Sequence, residues 1–113
     1  MHLVPSHAPP ELEPDTVIVT RHVGAVAWLA KHGVTGEVTL RITSPAQIAG
    51  KRIIGNVPLH LAAHAREVCT IVLPALPPEW RNKELSADEM EQAGAKLATY
   101  VVRLGIEGAK WLI

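Results

Sequence analysis

Thr20-Arg21-His22-Val23-Gly24 brings a hydroxyl, a guanidinium, an imidazole and a glycine into five consecutive positions. Arginine offers a planar fork of donors that matches phosphate oxygens. Histidine is the side chain whose ordinary titration falls near neutral pH, so it can take and return a proton. Gly24 either lets a following helix pack closely or lets backbone approach a phosphate. A second polar segment, Gly55-Asn56-Val57-Pro58-Leu59-His60, holds an amide, a turn-forming proline and another imidazole. Asn56 is open to two competing roles, N-cap of a helix or donor to a phosphoryl oxygen. His60, in the first turn of a helix, is the second candidate for proton transfer.

The other reactive side chains point to less. His60 and His64 have metal-pair spacing, but the zincin pattern requires Glu after the first His and Leu61 stands there. No metal is assigned and no cofactor is implied. Ser6, Ser44 and Ser86 lack a nucleophile-elbow context. Cys69 lies within an apolar run and reads as core. Trp80, Arg81, Asn82 and Lys83 follow a Pro-rich loop. They are either a solvated turn or a lid that brings cations and an aromatic face to a base.

The elements around these segments decide whether they meet. Residues 16 to 20 form an apolar, β-branched strand without alternation, as in a strand buried on both faces. A helix runs from about Gly24 to His32 and stops at Gly33. Residues 37 to 42 alternate, which places them on a sheet edge. Residues 43 to 52 are a broken connection. A third strand at Ile53-Ile54-Gly55 leads to a helix from Pro58 through Val68, and a fourth strand spans Cys69 to Leu73. Ser86 and Glu89 have capping-box spacing, and Met90, Ala93, Leu97, Val101 and Leu104 extend a helical stripe to Gly105. The tail IEGAKWLI is read as a short strand or a docked arm.

Alternating β and α elements predict an α/β fold with a mostly parallel sheet of about four strands, order 2-1-3-4, and helices on both faces. The order reverses between strands one and three, and ligands bind outside the carboxyl ends of the strands at that point. Thr20-Arg21-His22 and Gly55 to His60 then fall on one crevice.

The 113 residues suit one domain, spanning 15 to 113 behind a flexible Pro-rich leader, 1 to 14. No apolar run approaches a membrane span, and the leader lacks the pattern of a signal peptide. A single cysteine fits a reducing compartment, hence a cytoplasmic location. Eleven cations balance eleven anions, which argues against a binder of long DNA or RNA. Residues 15 to 66, however, carry six cations against two anions. A compact anionic ligand suits that distribution.

The segments TRHVGAVAWLAKHG, GNVPLHLAA and LPPEWRNKELSADEMEQAGAKL, in that order, resemble a small family of type III CRISPR-associated proteins. The resemblance covers about Val17 to Tyr100. It implies a minimal Rossmann-like, CARF-like three-layer domain. It also implies a ring nuclease that cuts cyclic oligoadenylate, especially cyclic tetra-adenylate, and so switches off antiviral signalling. Asn82 departs from the pattern, standing where an RGKEL-like segment has Gly. A four-phosphate ring exceeds the concave surface of one small subunit, so a homodimer with the ligand on its two-fold axis is expected. Trp28 and the second helix are its candidate interface residues.

The chemistry so implied is metal-independent attack of a ribose 2′-OH on the adjacent phosphorus, with Arg21, His22 and His60 as catalytic candidates. Thr20, Val23, Gly24, Gly55, Asn56, Val57, Pro58 and Arg81 are the candidate ligand contacts. The alternative is a sponge or sensor that binds the ring without cutting it.

Overall fold

The computed structural model describes residues 15–105. Expectations for the leader and for the tail from Ile106 lie outside the described residues. One five-stranded sheet organises the chain, in the order β2-β1-β3-β4-β5. Its strands are β1 (Thr16–Val19), β2 (Glu37–Thr39), β3 (Arg52–Gly55), β4 (Glu67–Val72) and β5 (Lys96–Tyr100). The first four are parallel, and β5 runs antiparallel to β4. The predicted order 2-1-3-4 is present, extended by an edge strand.

Both faces of the sheet are covered, which makes three layers. Helices α1 (Val23–Lys31) and α3 (Ala87–Gln92) lie on one face, over Ile18, Ile54 and Cys69. The short α2 (Leu59–Ala62) and the segment carrying Ile42 and Ile48 lie on the other, over Val17, Val19, Ile53 and Val68. Successive β1 residues point to opposite faces, and each enters a different half of the core. That is why β1 is a continuous apolar run. α1 buries Gly24, Ala25, Trp28 and Leu29, a stripe at helical spacing. Gly33 and Val34 then close it with N–H bonds to Ala30 and Leu29, a Schellman ending.

Three sequence expectations change. The third helix stops after one and a half turns. Gly94 takes φ +77, its N–H bonds to Glu91 O, and Ala95 N–H bonds to Met90 O. This is the same Schellman ending, and it releases Leu97 and Val101 from the helix. Residues 96–100 pair with β4 instead, and Leu97 packs into the α1–α3 core from a strand. The second helix is a single turn. His64 lies beyond it, so His60 and His64 do not share a helix face. Trp28, expected on a surface between subunits, is buried within the chain. It is 3% exposed, and its Nε1–H donates to Glu91 Oε1 at 2.6 Å.

Other expectations hold. Ser86 caps α3, with its Oγ accepting from Glu89 N–H and Glu89 Oε1 accepting from Ser86 N–H. Cys69 is buried, with Sγ 3.3 Å from Thr99 Oγ1. Among the described residues, no helix is long and apolar enough to cross a membrane.

Candidate functional site

The carboxyl ends of β1 and β3 lie side by side, with Val19 in register with Gly55. The neighbours diverge here, β2 beside β1 and β4 beside β3, so this is the point where strand order reverses. Gly55 has φ +137, and a Cβ there would sit 2.2 Å from Val19 O. No larger residue keeps the two strand ends this close.

A cavity of about 490 Å³ opens at this junction. Thr20, Arg21, His22, Gly55 and Asn56 all line it, so five of the predicted contacts meet. His22 is the N-cap of α1, in extended conformation, and its N–H donates to Thr20 Oγ1 at 3.0 Å. Its side chain is therefore held at the positive end of a nine-residue helix. Arg21 and Asn56 are exposed. Asn56 does not cap α2, because Pro58 holds that position.

The other predicted contacts fall elsewhere. His60 is exposed on α2 and lines no part of this cavity, so the crevice does not bring it to His22. Val57 lines a second cavity of about 360 Å³, which shares Gly55 and Asn56 with the first. Pro58 and Arg81 line neither, and Val23 is 79% exposed outside both. α2 has a single turn, so its amides form no extended anion site. Gly24 has a different reason to be glycine. A Cβ on it would lie 1.8 Å from Leu85 O, so its bareness admits the Lys83–Leu85 segment against α1.

Sequence reasoning weighed Lys83 within a solvated turn or a lid and missed Glu84 and Leu85. Lys83, Glu84 and Leu85 all line the cavity. Both Glu84 carboxylate oxygens lie 3.1 Å from His22 Nδ1. Lys83 Nζ pairs with Glu89 Oε2 at 2.5 Å and sits 4.7 Å above the Trp80 ring. The chain reaches this point through Asn82 at φ 64, a left-handed turn that asparagine tolerates better than other non-glycine residues. Asn82, which stands where the RGKEL-like segment has Gly, thus takes a conformation that glycine also adopts freely. No local signal marks Glu84, since its partner is 62 residues away.

Carboxylates of α3 bind it to α1. Lys31 Nζ pairs with Asp88 at 2.8 Å, which raises the lysine pKa above its ordinary value. Glu91 lies 2.5 Å from His32 Nε2 and also accepts from Trp28, and both bonds hold its carboxyl below the ordinary range. Glu89 is lowered too, first by Lys83 and then by the Ser86 N–H.

These features define a small Rossmann-like α/β protein with a polar crevice at its switch point. The chain belongs to the family described as "Putative CRISPR-associated protein (Cas_VVA1548)", which it matches over residues 17–103. Comparisons with curated proteins and with solved structures returned no match.

Proposed function

We propose that this CRISPR-associated protein is a ring nuclease that cleaves cyclic oligoadenylate, with cyclic tetra-adenylate as the favoured ring. One observation carries the reading: Arg21, His22 and Asn56 converge with the N-terminus of α1 on one cavity at the switch point. In the reaction a ribose 2′-oxygen forms a bond to the adjacent phosphorus while the bond from phosphorus to the 5′-oxygen breaks. The 2′-OH proton passes to a base, and the leaving 5′-oxygen gains one. The product is a linear oligoadenylate ending in a 2′,3′-cyclic phosphate. His22 serves the proton transfer. Arg21 stabilises charge on the non-bridging oxygens through its donor fork. Asn56 and the first amides of α1 hold the phosphate.

The cavity, at about 490 Å³, falls in the range of sites for drug-sized ligands and is smaller than a four-nucleotide ring. Two copies about a two-fold axis, each offering one crevice, fit the ring's symmetry. The test is incubation with cyclic tetra-adenylate in EDTA, followed by chromatography of the products. Linear products are expected, with His22→Ala slowing their formation by about 10²–10⁴-fold while ring binding persists. Unchanged turnover in that variant would remove His22 from the mechanism. A second reading, binding without cleavage, is favoured by the placement of His60 away from the cavity, which leaves one imidazole there. An intact ring after long incubation would select it.

A further inference from the structure

We infer that Glu84 is the positioning residue for His22, holding its imidazole with the proton on Nδ1 and the lone pair of Nε2 free to act as a base. The inference rests on the ring-nuclease reading for its catalytic consequence, but not for its chemistry. Both Glu84 oxygens lie 3.1 Å from Nδ1. A carboxylate only accepts hydrogen bonds, so Nδ1 must donate. In a neutral imidazole the other nitrogen is then an acceptor. Nε2 makes no hydrogen bond to another described residue. The backbone of His22 is fixed separately, by its place as N-cap and by its N–H bond to Thr20 Oγ1.

Glu84 has no competing partner in the cavity. Lys83, the neighbouring cation, is taken by Glu89. Arg21 lines the same cavity and makes no ion pair with a described residue. Glu84 is also the single carboxylate among the residues that line this cavity. Its placement is fixed on both sides, by the Asn82 turn before it and by the Leu85 carbonyl against Gly24 after it. The division of labour is that of a carboxylate–histidine dyad, in which the acid sets tautomer and orientation while the imidazole moves the proton.

The alternative is a purely structural tie between the loop and α1. The two are separated by reading the tautomer directly. Imidazole ¹⁵N resonances of His22, recorded at a pH where the ring is neutral, should show the Nδ1–H form in the wild type. In Glu84→Ala they should move toward the Nε2–H form. Glu84→Gln, which can still accept from Nδ1–H through its amide oxygen, should keep the wild-type tautomer.

On cyclic tetra-adenylate, Glu84→Ala should lower kcat by about 10–10²-fold with KM unchanged. The loss stays below that of a buried triad acid because both side chains are about 60% exposed. Glu84→Gln should fall between the wild type and Glu84→Ala. A wild-type Nε2–H tautomer, or one unmoved in Glu84→Ala, overturns the inference whether or not the ring is cut. So does an unchanged kcat, or a loss confined to KM. If the wild type leaves the ring intact, the ring-nuclease reading fails, and the tautomer measurement still decides the role of Glu84.

Discussion

Gly24→Ala sets two physical effects against each other, and the structure says which wins. Position 24 is the second residue of α1, where alanine is the better helix former by up to about 1 kcal/mol. Helix propensity alone therefore predicts a more stable protein. The added Cβ would fall 1.8 Å from Leu85 O and 3.0 Å from Leu85 C, and ordinary contact begins near 3.4 Å. The obstacle is backbone, which cannot rotate aside. The Leu85 segment must retreat by about 1.5 Å, and Leu85 packs against the α1–α3 core. Overpacking costs about 1–3 kcal/mol, and an obstacle made of backbone puts this site in the upper half, about 2–3 kcal/mol. With the propensity gain subtracted, the expected net loss is about 1–2 kcal/mol, a Tm lower by about 4–16 °C for a domain of this size. Thermal unfolding followed by circular dichroism, with a urea midpoint at constant slope as a check, measures it. A Tm equal to or above wild type would show that the 83–85 segment is not held against α1. The account of how Glu84 reaches His22 would fall with it.

Acid should weaken the fold through the carboxyls that α1 and the 83–85 segment hold below their ordinary pKa. Glu89 and Glu91 are both depressed from 4.5, so their stabilisation is complete above about that pH and is lost as pH falls through the lowered values. Tm should be level from neutral pH down to about pH 5 and then fall, and Glu91→Gln should make the fall shallower; a variant with an acid limb as steep as wild type would remove Glu91 from this account. Trp28→Phe deletes the donor to Glu91 and part of a buried ring, at an expected cost of about 2–3 kcal/mol in urea unfolding. A loss below about 1 kcal/mol would mean that water replaces the indole N–H.

The sheet was legible because β1, β3 and β4 are apolar runs buried in the sheet while β2 shows the alternation of an edge strand, and their order follows from βαβ geometry. The third helix was misread because Met90, Ala93, Leu97 and Val101 fit a helical stripe. Residues 96–100 fit a strand as well, since Leu97 reaches the same core from either. Gly94 was the local signal that decides between them, and it stands in the middle of the stripe. Trp28 was also decidable, because Ala25 and Leu29 beside it already form the buried side of α1.

The site divides along the same line between local and tertiary causes. Arg21, His22, Gly55 and Asn56 meet because each sits at the end of a strand, and strand ends are visible in sequence. His60 was placed with them by its nearness in sequence to the carboxyl end of strand three; it sits exposed on α2, and proximity in sequence to Asn56 did not become proximity in the cavity. Glu84 arrives by the opposite route. Nothing within ten residues of it points to His22, and its approach depends on a missing Cβ at Gly24 and a left-handed turn at Asn82. A glycine read as either a close-packing residue or a phosphate contact thus acts through packing, by admitting the backbone that carries the carboxylate. Arg21 or Asn56 substitutions should therefore act on the ring directly. Gly24→Ala should lower stability and catalysis together, because one backbone contact serves both.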